Sequence, residues 1–237
     1  MTLTTGTTYP TRLTGELDPH LSRGLWLVKW LLAFPHYVVL AFLWVGFILS
    51  TLVAGVAILF TGRYPRSLFD FNVGVLRWSW RVGFYAYSAL GTDRYPPFTL
   101  ARTDYPADFD VDYPERLSHG LVLVKSWLLA LPHLVLVSLF TANVPFWWAT
   151  RNDWSDGYES TAGFSLLGFL VCIAGISLLV TRKYPRALFD LVVGLNRWVY
   201  RVLAYVALMR DEYPPFLLEQ GAHEGEDLGH PPVATYT

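Results

Sequence analysis

Arginine and aspartate recur at helical spacing in two places. Arg66, Asp70, Gly74, Arg77 and Arg81 step by four, four, three and four, and Arg186, Asp190, Gly194, Arg197 and Arg201 repeat the pattern. On a helix this spacing makes one narrow polar stripe along an otherwise apolar rod. Arg66 with Asp70, and Arg186 with Asp190, are i,i+4 pairs that can meet on the stripe. Arginine outnumbers lysine fifteen to three, and its planar fork holds phosphate in bidentate fashion. The chemistry predicted is recognition of anionic lipid headgroups or of a partner. Arg77, Arg81, Arg197 and Arg201 would hold phosphates, and Asp70 and Asp190 would orient Arg66 and Arg186.

His36 and His133 each follow a proline within an apolar run. A histidine at membrane depth is a functional candidate, able to carry a proton or bind a metal. No second ligand stands at helical spacing and neither segment resembles a zinc motif. A proline-kinked helix with a hydrogen-bonded imidazole is therefore expected, with no metal and no cofactor. Lys29 and Lys125 stand near the ends of apolar runs, where their stems can snorkel. Cys172 is the lone cysteine, which excludes an internal disulfide and reads as a packing residue. The chain lacks a dinucleotide fingerprint, a P-loop and a nucleophile elbow. With no nucleophile–base constellation in sight, it does not read as an enzyme.

These residues sit in a chain of 237 residues that is 53% hydrophobic and 16% charged, against about 25% charge in ordinary soluble domains. Mean hydropathy is +0.34. A formal net charge of -1 gives no field for nucleic acid. Residues 24–60 carry one full charge, Lys29. At about 1.5 Å per residue that run is about 55 Å long, too much for one straight span of a core about 30 Å thick. Residues 120–149 carry only Lys125, residues 150–159 are polar, and residues 160–181 are uncharged, which predicts two spans and a loop.

The halves repeat each other. LVKWLLAFPH (27–36) recurs as LVKSWLLALPH (123–133), TGRYPRSLFD (61–70) as TRKYPRALFD (181–190), and VGVLRWSWRV (73–82) as VGLNRWVYRV (193–202). The offset grows from 96 at Gly24/Gly120 to 120 at Tyr64/Tyr184, absorbing the polar loop. By analogy the first run becomes a hairpin turning near 44–46, with spans at about 24–43 and 45–61. Seven arginines lie in 61–119 and six cations follow residue 181. The positive-inside rule then puts the N-terminus, linker and C-terminus in the cytoplasm. Small residues at Gly46, Ser50 and Ala54, and at Ser165, Gly168, Cys172 and Gly175, suit close packing within the hairpins or a homodimer face.

The arginine stripes then fall on amphipathic helices at 66–90 and 186–209, lying in the membrane interface. Seven of fourteen tyrosines precede proline, which punctuates helices. Residues 1–20 form an N-terminal arm, 101–116 an extended linker, and the acidic tail 219–237 reads as disordered.

The strings YPRSLFDFNVGVLRWSWRV, with DRYPPF after it, and YPRALFDLVVGLNRWVYRV, with DEYPPF after it, resemble an uncharacterised bacterial membrane-protein family. That family is the domain of unknown function numbered 4389, here in two tandem copies over about 21–100 and 117–218. The resemblance implies an integral membrane protein and carries no activity, substrate or catalytic residue with it.

The expected fold is all-α: a polytopic, multi-pass protein of the bacterial inner membrane. Each of its two tandem repeats would have a transmembrane helical hairpin plus an interfacial amphipathic helix. The expected function is a scaffold or accessory protein that binds anionic headgroups, a membrane partner subunit or a second copy. The alternative is a small transporter or channel subunit with a polar path between the repeats, lined by His36 and His133.

Overall fold

A computed structural model describes residues 9–141, 165–219 and 221–222. Strand β1 (Thr11–Gly15) leads through a 3-10 turn (Leu25–Leu27) into α1 (Lys29–Thr61) and α2 (Arg66–Tyr85). Strand β2 (Ala107–Val111) is followed by α3 (Leu121–Val124), a π turn (Lys125–Leu129) and α4 (Leu131–Thr141). Helices α5 (Leu166–Thr181) and α6 (Arg186–Val206) complete the described chain.

The turn expected at 44–46 does not form. α1 is one rod of 33 residues, about 50 Å long. Nothing between Leu43 and Phe47 breaks a helix, and a lone glycine costs only about 1 kcal/mol against alanine. Gly46 serves packing instead: a Cβ there would stand 3.1 Å from the Phe71 ring of α2. In the second half, Ser126 is one residue more than the first repeat has between its lysine and the following tryptophan. The π turn at Lys125–Leu129 takes it up by widening the helix locally.

α5 has 16 residues, short of the roughly 20 a bilayer requires, and α4 is described only as far as Thr141. Among the described residues α1 alone is long and apolar enough to cross a membrane. The expected polytopic set of spanning hairpins is thereby overturned. Parts of the spans expected at 120–149 and 160–181, and the loop at 150–159, lie outside the described residues. The chain is mostly helical, not all-α, because the arm and the linker each supply a strand.

Those strands pair antiparallel, with Thr11 opposite Val111, Leu13 opposite Phe109 and Gly15 opposite Ala107. In each, alternate residues are buried, the period of a half-buried strand. β1 packs on α6, in the second repeat, and β2 packs on α2, in the first. Each arm therefore crosses to the other repeat. The rings of Trp80 and Tyr200, equivalent positions of α2 and α6, meet at 5.7 Å between the repeats.

α2 and α6 lie largely buried within the molecule, so their arginine stripes do not face outward as expected. Their apolar sides pack on α1 and α5, and the strands with their flanking coils cover the polar stripe. Arg77, Arg81, Arg197 and Arg201 are all buried. Both helices end sooner than expected, at Tyr85 and Val206, where the chain turns through Leu90 and Leu208 in left-handed conformations.

Candidate functional site

The arginines of α2 and α6 hold the covering coils in place. Arg77 Nε donates to the Phe109 carbonyl at 2.9 Å, Nη1 to the Leu100 carbonyl at 3.1 Å, and Nη2 to Asp110 Oδ1 at 3.2 Å. Arg81 donates to the Ala101 carbonyl at 2.8 Å and reaches Asp108 at 3.4 Å. In the second repeat Arg197 Nε donates to the Leu13 carbonyl at 3.1 Å, Nη1 to the Glu219 carbonyl at 2.6 Å, and Nη2 to the Gly221 carbonyl at 3.0 Å. Arg201 donates to the Glu219 carboxylate at 2.6 Å. A guanidinium has five donors and no acceptor, so strand carbonyls can answer it where phosphates were expected to. The glycines of the stripe admit the same coils. A Cβ on Gly74 would stand 2.8 Å from Leu100 Cβ, and one on Gly194 would stand 2.8 Å from the Glu219 carbonyl.

β2 adds two carboxylates, and Asp112 just after it a third, that the expected extended linker did not place. Asp108 pairs with Arg77, Arg81 and Arg102, and Asp110 with Arg12, Arg77 and Arg102. Asp112 takes two hydrogen bonds from Arg12, at 2.9 and 2.6 Å, and that guanidinium holds its carboxyl below the ordinary range. A cleft of about 560 Å³ opens beside this layer, lined by Arg66, Asp70, Arg77, Asp110, Asp112 and Tyr113 among others. The alternation in ADFDV is the signal by which β2 could have been read. Likewise, the offset of 96 lays Tyr9-Pro10 on Tyr105-Pro106.

The outer ends of the stripes differ. Arg66 pairs with Asp70 at 3.1 Å, both exposed, and lies over the Tyr113 ring at 4.6 Å. Arg186 is exposed, and Asp190 is buried. Ser50 and Ala54 are buried, and Gly175 lies under the Trp26 ring, so these small residues serve packing within the chain.

His36 and His133 are both fully buried, each in a box of aromatic rings from its own repeat. The Trp78 indole donates to His36 Nδ1 at 3.1 Å, and Trp198 donates to His133 Nδ1 at 3.2 Å. Phe98 stacks on His36 at 3.8 Å and Phe216 on His133 at 4.2 Å. Tyr95 and Tyr213 close the boxes, so the Tyr-Pro-Pro-Phe strings bind back onto the apolar helices. Among the described residues no three His, Cys, Asp or Glu side chains gather as a metal site requires.

The lysines do not snorkel. Lys29 Nζ donates to the Thr92 carbonyl at 2.7 Å and pairs with Asp93 at 2.9 Å. Lys125 Nζ does the same with Arg210 and Asp211, both at 2.8 Å. Asp93 and Asp211 in turn accept the Ser22 and Ser118 amides, both at 2.6 Å. The signal in the sequence is an aspartate two residues before each Tyr-Pro-Pro-Phe string. A lysine buried this way needs such a partner.

The fold and its site define a tandem-repeat helical protein, closed by exchanged strands and stitched by buried arginines. A sequence model of the domain of unknown function DUF4389 matches residues 23–99 and 161–217, and the chain belongs to that family, in two copies. No curated protein matches the chain, and no solved structure does.

Proposed function

We propose that the protein is a non-enzymatic scaffold or accessory protein of the cell membrane. It is seated through the outer face of α1 and engages anionic lipid headgroups or a membrane partner subunit. The supporting observation is that face itself. Phe42 is 75% exposed, Phe60 78% and Leu52 63%, and only 28% of the most apolar window of α1 is buried. A soluble monomer rarely leaves so long an apolar surface open.

Exposed cations gather just past the ends of the apolar helices. Arg63 and Arg66 follow α1, and Arg182, Lys183 and Arg186 follow α5. These replace the buried arginines as the headgroup-binding set, each worth about 1 kcal/mol at an anionic surface. The transporter alternative has less support, because each histidine is enclosed by rings of its own repeat.

Flotation with vesicles tests the proposal. The protein should float with phosphatidylcholine and more strongly with phosphatidylglycerol, and Arg66→Gln with Arg186→Gln should reduce the difference. Protein left unbound by both vesicle types would refute the reading.

A further inference from the structure

The segment 92–117 runs the length of α1. Its start is fixed at the first residue of the helix, where Lys29 Nζ takes the Thr92 carbonyl at 2.7 Å. Its end is fixed past the last residue, where the Leu117 amide donates to the Gly62 carbonyl at 2.8 Å. In between, the Leu100 and Phe109 carbonyls bind Arg77, on a helix that returns along α1 through the Ser79–Trp44 and Asn72–Ser50 hydrogen bonds. The segment carries nine charged residues. The side chains of its Arg102 and Asp112 are 59% and 51% exposed, and that of Arg12, which pairs with Asp112 from β1, is 38% exposed.

An α1 that crossed a bilayer would carry this segment through the hydrocarbon with it. Irregular, charged and solvated backbone does not survive there. The apolar surface of α1 meanwhile lies away from the layer of Arg77 and Asp110, which α2 separates from it, while Tyr95 and Phe98 pack on α1 itself. A molecule with one greasy side and one charged side, both parallel to a rod longer than the bilayer core, fits a surface and does not fit a span.

We infer that the protein enters the membrane from one side only: α1 lies lengthwise within a single leaflet, its outer face among lipid acyl chains. The segment 92–117 and the arginine layer stay in water, and both ends of α1 are on the same side. This rests on the membrane reading above and adds to it the direction of insertion.

Arg23 and Arg63 flank α1 and are exposed. Single Arg23→Cys and Arg63→Cys variants, with Cys172→Ala, would be probed in sealed right-side-out and inside-out vesicles with a charged, impermeant maleimide. Both positions should label from the same face and from that face alone. Labelling from opposite faces would overturn the inference while leaving membrane seating intact. Failure of the chain to sediment with the vesicles would overturn both. Trypsin added to the unaltered chain gives a second measurement free of substitution. Cleavage after Arg63, Arg102 and Arg116 should come from one face of the vesicle, and cleavage from two faces counts against one-sided entry.

Discussion

Leu13 and Phe109 face each other at the centre of the two-stranded ribbon, and they are the same position of the two repeats. The offset of 96 lays Thr11 on Ala107 and Gly15 on Val111. With Thr11 opposite Val111 and Gly15 opposite Ala107, the register is symmetric about that central pair. The Leu13 carbonyl goes to Arg197 and the Phe109 carbonyl to Arg77. Each arginine therefore clamps the arm of the other repeat, and neither repeat can be closed without its neighbour.

The clamps should be the costliest arginines to lose. Arg77→Ala or Arg197→Ala strands carbonyls and carboxylates in a covered layer, a loss of about 2–4 kcal/mol. Arg77→Lys should recover little, because an ammonium lacks the planar fork. Arg66→Ala breaks an exposed pair and should cost about 0–1 kcal/mol. Thermal unfolding in detergent micelles ranks the three, and equal shifts for Arg66→Ala and Arg77→Ala would contradict this account.

Lys29 and Asp93 should behave as a coupled pair. Lys29→Met leaves the carboxylate beside a buried stem, at about 3–5 kcal/mol. Adding Asp93→Asn should return part of that, with a coupling of about 0.5–3 kcal/mol in a double-mutant cycle. Lys125 and Asp211 should give the same result, and strictly additive losses at either pair would show that the contact is not energetic.

Each histidine should matter as an acceptor. His36→Phe can still stack on Phe98, but it leaves the Trp78 indole N–H buried without a partner, at about 1–3 kcal/mol. Trp78→Phe in the same chain should restore much of the loss. A His36→Phe variant that melts like the parent would show that the hydrogen bond contributes nothing.

Acid should weaken the fold at its carboxylates. Burial pushes the Asp93 carboxyl up, but the Ser22 amide and the Lys29 ammonium outweigh it and hold the group below its ordinary 3.8. Arg12 does the same for Asp112. A carboxyl with a depressed folded pKa contributes stability that is complete above the unfolded value and is lost as pH falls through the folded one. Melting temperature should therefore hold level down to about pH 5 and drop below about pH 4. Arg12→Ala should remove the part of that drop due to Asp112, and an unchanged acid profile would count against the pairing.

The repeat, the polar stripes and the single lysine and histidine of each apolar run (24–60 and 120–149) are legible in the sequence, because all are local periodicities or exact strings. The hairpin turn at 44–46 was inferred from apolar length, and length does not show whether a rod crosses a membrane or lies along it. The one-sided entry inferred above rests instead on the path of residues 92–117, fixed by Lys29 and Gly62 at opposite ends of α1. The strands were readable in principle from the alternation in ADFDV. Their pairing joins residues about a hundred positions apart, and local patterns carry no information on such a contact.

The sequence by itself determined that the chain is a duplicated, apolar helical protein with arginines along one face of each central helix. Only the tertiary structure decided what answers those arginines. A guanidinium is complementary to any array of oxygen acceptors, so its spacing cannot separate a lipid phosphate from a strand carbonyl. The exchanged arms bring the Phe109 and Leu13 carbonyls to Arg77 and Arg197.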